Sequence, residues 1–332
     1  MRRPDLRVLL GLGLSLLFLV LLARVIDVPA LGAILAHFDG RLIPLAIGLH
    51  FLGVWLRSVR WGLLLPARPG QGALFRVSVI GFAVNNLVPV RIGDVARTYL
   101  LARWCGTPYG TTVASLVVER ILDGLTLALL LLLGLLIVPA PAYLLGFALL
   151  ASAGFGVCIA VTILAAWRPA TLLWLSATVG RRLPPRLGDR VQRLSRSFAH
   201  GLSPLQHWSA WPWLLGVSAL AWIGQFALFY VLMLGFPLPA TPGLALLGGA
   251  VANFATLVPS SPGFVGTFDA ALSKVLVDTS GIGFDVAAAY ALVVHSVLFL
   301  PIIILGGLLL WRADVRPASL LRLNPRSGDG LN

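Results

Sequence analysis

Six apolar stretches, each near or above the roughly 20 residues that cross a bilayer as a helix, leave this chain one class of fold. They fall at about 7–26, 42–65, 111–138, 142–166, 211–235 and 286–311. Only 11% of the residues are charged and 58% are hydrophobic, so these runs have little polar sequence to shield them from water. In hydrocarbon every backbone N–H and C=O must be satisfied within the protein, which makes each stretch an α-helix. The expectation is an all-α polytopic membrane protein forming a single transmembrane domain over residues 1–332. The first stretch is as long as a span and lacks a small-residue cleavage pattern, so it reads as a retained helix.

The net charge of +13 is distributed as the positive-inside rule places it, in short segments beside spans. No zinc-finger or RNA-binding signature accompanies it, which argues against a nucleic-acid partner. Arg2, Arg3 and Arg7 precede the first span, Arg168 to Arg196 crowd the loop 167–207, and Arg312 to Arg326 occupy the tail 312–332. These segments, and both termini, are expected on the cytoplasmic side of a bacterial-type cytoplasmic membrane. Within the loop, RLGDRVQRLSRSFAHGL spaces Leu187, Val191, Leu194 and Phe198 as an interfacial amphipathic helix does, suited to anionic lipid headgroups. Cys105 and Cys158 suggest neither a disulfide frame nor a metal site. Trp208, Trp211 and Trp213 read as interface anchors.

Two further stretches begin as membrane-grade sequence and are then interrupted. GFAVNNLVPVRIGDVARTYLL (81–101) and GGAVANFATLVPSSPGFVGTFDAAL (248–272) share Gly, Ala and Asn, then Leu-Val-Pro, then a Gly followed by an acidic residue. Counting spans between the basic segments makes each an even number of passes. The first half, 1–166, then carries an interrupted hairpin at 72–105 that dips from the cytoplasm. The second half, 208–311, carries one at 243–280 that dips from outside. Span, hairpin, span in opposite orientations is an inverted repeat, the plan of alternating-access carriers. About six full spans plus two interrupted or re-entrant hairpins are therefore expected.

The candidate site residues cluster in or beside these interruptions. Arg57 and Arg60 sit near the inner end of the second span; Arg60 can snorkel to the interface, whereas Arg57 lies about a turn deeper. Pro89 and Gly93 break the first hairpin, and Asn85 and Asn86 can satisfy the freed backbone or meet a ligand. Arg91, Asp94 and Arg97 fall three apart and share a face if helical. Either Asp94 neutralises the two arginines, or their guanidinium forks grip an anionic group. Glu119 and Asp123, a turn apart with Arg120 between them, serve either as ion-pair partners or as a proton or cation site. In the second hairpin, Ser260 and Ser261 can satisfy broken backbone. Gly263 and Gly266 permit a turn, and Asp269 falls in the first turns of a helix expected to start near Phe264. His295 reads as a hydrogen-bonded core histidine, with a ligand role as the alternative. No nucleophile, metal cluster or nucleotide loop accompanies these groups, so no enzyme, cofactor or metal is expected.

Four ordered motifs, WLRSVRWGLLL, NNLVPVRIGDVARTYLL, VVERILDG and LVPSSPGFVGTFDAAL, resemble the lysylphosphatidylglycerol synthase transmembrane-domain family, also called flippase-like domain proteins. The resemblance covers about residues 8–311. It implies a polytopic helical domain with re-entrant elements that handles lipids, in some members moving an aminoacylated phospholipid between leaflets. The matched positions are Arg57, Arg60, Asn86, Pro89, Arg91, Gly93, Asp94, Arg97, Glu119, Arg120, Asp123, Pro259, Pro262, Gly263, Gly266 and Asp269. Two-domain members carry a soluble aminoacyl-transferring domain after the membrane part. Here about twenty polar residues follow the last span, so synthase activity is not expected.

The expected function is translocation of a phospholipid or polyprenyl-phosphate-linked lipid, with Arg57, Arg91 and Arg97 on the phosphate. Alternatives are a small-molecule or ion carrier, and a non-catalytic partner of an envelope glycosyltransferase. A homo-oligomer is compatible with any of these.

Overall fold

The computed structural model describes residues 28–87, 92–257 and 262–312. These residues form twelve α-helices, joined by short loops and 3-10 turns, with no strand among them. In chain order the helices are α1 (Val28–Ala36), α2 (Leu42–Leu63), α3 (Gln71–Leu87), α4 (Gly93–Cys105), α5 (Tyr109–Ile137) and α6 (Ala142–Trp167). They continue as α7 (Pro169–Gly180), α8 (Pro185–Gly201), α9 (Trp211–Met233), α10 (Pro242–Ala255), α11 (Thr267–Ser280) and α12 (Phe284–Arg312). Five segments are long and apolar enough to cross a membrane: α2, α5, α6, α9 with its preceding turn, and α12. They coincide with five of the six expected spans; the stretch 7–26 lies outside the described residues.

Apolar residues on the outside of such a helix meet lipid as comfortably as protein, so association rests on close packing and buried polar contacts. Burial ranks the spans accordingly. Only 6% of the α6 span is buried, against 44% for the α9 segment, which puts α6 at the rim and α9 at the centre. α2 runs along α9, α12 along α3, and α10 along α5. One apolar core gathers Phe229, Phe268 and Tyr290, whose hydroxyl donates to the Phe229 carbonyl at 2.8 Å. Others surround Trp61 and Leu101 and Phe226, Leu131 and Leu247.

Both interrupted stretches are helical hairpins. α3 packs back on α4, and α10 on α11. In the first, the arms cross at two glycines: a β-carbon on Gly93 would collide with the Gly81 carbonyl. The Gly93 N–H is held by the Asn85 side-chain oxygen at 2.7 Å. In the second, Thr241 caps α10 by accepting from the Leu244 N–H, 3.2 Å, with Pro242 following in the first turn.

The helix expected near Phe264 starts instead at Thr267, after a 3-10 turn over Pro262–Phe264. Gly263 (φ 69°), Phe264 (φ 59°) and Gly266 (φ 87°) all adopt positive φ, which no right-handed helix can include. The tips of the two hairpins meet, since a β-carbon on Gly263 would lie 3.5 Å from the Asn86 carbonyl oxygen.

The basic amphipathic helix is α8. Phe198 joins a cluster with Leu64, Ala114, Val118 and Leu202, and Thr111 on α5 donates to the Ser197 carbonyl at 2.9 Å. Leu187 and Leu194 stay exposed. Part of the expected membrane-facing surface is thus docked on α5, and the rest faces outward.

Candidate functional site

The hairpins and spans line a cavity of about 370 Å³. Its polar wall carries Arg57 from α2, Asn85 and Asn86 from α3, Asp94 from α4, Arg120 and Asp123 from α5, Gln225 from α9 and Asn253 from α10. Its apolar wall includes Phe82, Phe155, Trp222, Phe264 and Phe299.

Each carboxylate near this cavity already has an arginine. Asp123 accepts from Arg60 at 2.7 Å and from the Trp222 indole at 3.1 Å. Glu119 takes a two-point grip from Arg97, 3.0 and 2.9 Å, with both side chains about 1% exposed. Asp94 accepts from the Arg120 Nη2 at 2.7 and 2.9 Å and lies 3.7 Å from Arg97. Planar guanidinium and carboxylate groups match in this way, and burial makes a lost partner expensive.

Arg57 is different. It lies over the Trp222 ring, 4.4 Å from the centroid. Its Nε and Nη2 are buried and make no hydrogen bond among the described residues. Four arginines (57, 60, 97 and 120) thus face three carboxylates (94, 119 and 123), which leaves one surplus positive charge among the described residues here. A cation–π contact offsets only part of the desolvation of such a cation. The cavity is therefore electrostatically receptive to an anion.

Six of the residues singled out in the sequence line the cavity: Arg57, Asn85, Asn86, Asp94, Arg120 and Asp123. Arg60, Arg97 and Glu119 stand behind its wall. Arg60 does not snorkel; it is 0% exposed and held by Asp123, with Ser218 at 3.3 Å. Nor is Arg97 offered to a ligand. Both its Nη atoms engage Glu119, and its plane stacks on Trp61 at 4.1 Å. Asp94 and Arg97 share a face of α4, which starts at Gly93.

In the second hairpin, Gly263, Gly266 and Asp269 lie outside the cavity wall. Asp269 accepts the Gly266 N–H at 2.9 Å and pairs with His295 Nδ1 at 2.8 Å, so it secures the turn and its contact with α12. Arg91, Ser260 and Ser261 lie outside the described residues.

His50, Trp222, Gln225, Asn253 and Thr256 also line the cavity and were not singled out in the sequence. His50 and Gln225 are polar residues inside spans, the signal that could have revealed them. Trp222 carried no such signal, because a tryptophan in a span reads as a lipid anchor.

Fold and site together define an integral membrane protein with a charged, protein-lined cavity where two broken helical hairpins meet. The chain belongs to the family described as the lysylphosphatidylglycerol synthase TM region, which it matches over residues 8–306. It is also 32% identical over 121 residues to glycosyltransferase AglD of Haloferax volcanii. That match takes in 36% of this chain and 19% of the archaeal protein.

Proposed function

We propose that this protein moves a membrane lipid with a phosphate-bearing headgroup, a phospholipid or a polyprenyl-phosphate-linked lipid, between leaflets without covalent chemistry. Arg57 carries the reading, as a buried guanidinium with unused donors facing a cavity whose carboxylates are already engaged. A phosphate oxygen would supply the partner that Arg57 lacks. The paired Arg60, Arg97 and Glu119 would keep the surrounding wall rigid and near neutral. Membership in a family named for a lipid-modifying synthase supports a lipid substrate.

Alternating access through an inverted repeat fits the packing. The first arm of each hairpin lies along the span that follows the other hairpin, α3 on α12 and α10 on α5, while α2 lies on α9. The second arms end alike, on Gly106 and Gly281, each at φ 67°. In this reading, N- and C-termini are cytoplasmic, the first hairpin is re-entrant from that side, and α8 rests on anionic headgroups.

The test is headgroup-reporter flipping in proteoliposomes containing phosphatidylglycerol, its aminoacyl form or a short polyprenyl phosphate. Wild type should move one class. Arg57→Gln, which keeps size and polarity but removes the charge, should lose at least tenfold in rate while staying folded. Transport undiminished in Arg57→Gln would refute the role of this residue, and no lipid movement by folded wild type would refute the function. A second reading, a membrane partner of an envelope glycosyltransferase, is favoured by the likeness to a protein bearing that name.

A further inference from the structure

A second concavity, of about 540 Å³, runs between α4 and α5. Its wall is almost wholly apolar, with Val95, Val113 and Val117 each about two-fifths exposed. Asp94 and Arg120 line both this groove and the central cavity. Their ion pair is thus part of the partition between them, and it is incompletely buried, with Arg120 36% and Asp94 26% exposed. α5 is long and apolar enough to cross a membrane, and in a bilayer the outer side of the groove would meet lipid.

We propose that this groove is the lateral entrance through which the lipid reaches the cavity, its apolar part against Val95, Val113 and Val117 and its phosphate on Arg120. The inference rests on the lipid-translocation reading above and adds the route. Continuity with the cavity and charge complementarity select the occupant. A lipid is the partner that combines an apolar body suited to the valines with an anion suited to Arg120. Phosphate presents the same paired oxygens that Asp94 now offers the guanidinium fork, Nη2 at 2.7 Å and Nε at 3.3 Å, so it can displace that carboxylate. Arg57, on the same cavity wall, would receive the phosphate next. Asp94 returning to Arg120 would then close the passage behind the headgroup.

The experiment fills the groove without touching the charges. Val117→Trp and Val113→Trp are assayed for headgroup-reporter flipping beside Leu150→Trp, a control on the rim helix α6 where the side chain is 75% exposed. Both groove variants should slow translocation at least tenfold with unchanged thermal unfolding, and the control should match wild type. If a tryptophan variant unfolds, Val113→Cys and Val117→Cys can be blocked by a bulky maleimide after purification, in a Cys105→Ala/Cys158→Ala background. Slowing on modification has the same meaning.

Wild-type rates in the filled-groove proteins, with Arg57→Gln inactive, would overturn the entrance and leave the translocase reading standing. A folded wild type that moves no lipid would overturn both. A change in oligomeric mass on filling the groove, with transport intact, would assign the groove to a second copy of the chain and also overturn the proposal.

Discussion

Arg97 and Glu119 hold the first hairpin to α5 through a pair that is about 1% exposed on both sides. Removing one partner leaves the other charge buried, which costs about 3–5 kcal/mol. Glu119→Leu should therefore destabilise by that amount. At roughly 2–4 °C per kcal/mol for a sizeable domain, the fall in Tm is on the order of 10 °C.

Replacing both, Arg97→Met with Glu119→Leu, removes the stranded charge. It also removes the stacking of Arg97 on Trp61 at 4.1 Å, a contact worth about 2 kcal/mol when desolvated. The double variant should sit within about 2 kcal/mol of wild type, so it should be about 1–3 kcal/mol more stable than Glu119→Leu alone. Asp94, 3.7 Å from Arg97, tempers the single variant but cannot reverse the order. Thermal unfolding in detergent, read by tryptophan fluorescence, measures all three proteins. A double variant as unstable as Glu119→Leu alone would refute the assignment of the pair as a buttress and reopen a ligand role for Arg97.

Other substitutions test other joints. Gly93→Ala drives a methyl group into the Gly81 carbonyl, backbone against backbone. It should cost at least about 1–3 kcal/mol and open the first hairpin to proteolysis; wild-type resistance would contradict the crossing. Asp269→Ala strands the Gly266 N–H and the His295 ring, a loss of about 1–3 kcal/mol, and Asp269→Asn should retain part of it. Equal melting of all three would mean the turn does not depend on Asp269. Single cysteines at Leu87 and Leu257, exposed beside the two breaks, should be reached by impermeant maleimide through opposite faces of the membrane. Labelling of both from one face only would remove the inverted repeat.

Much of this architecture was legible in the amino-acid order. Spanning helices announce themselves by length and apolarity, since hydrocarbon admits few alternatives. Each interrupted stretch combined backbone breakers with charges too costly to leave facing lipid, so both hairpins could be located. Arg57, Asn85, Asn86, Asp94, Arg120 and Asp123 followed from that reasoning, and all six line the cavity.

What one dimension could not supply was the pairing. Glu119 lies next to Arg120 in sequence, yet it grips Arg97, while Arg120 turns to Asp94. Neighbours on a helix point about 100° apart, so the choice among four arginines belongs to the helices that approach α5. The same packing buried Arg60 against Asp123, left Arg57 over Trp222, and brought His50, Gln225 and Asn253 to one cavity. The order of residues determined that charges must lie within the membrane; tertiary packing decided which are paired there and left Arg57 as the surplus cation among the described residues of the site.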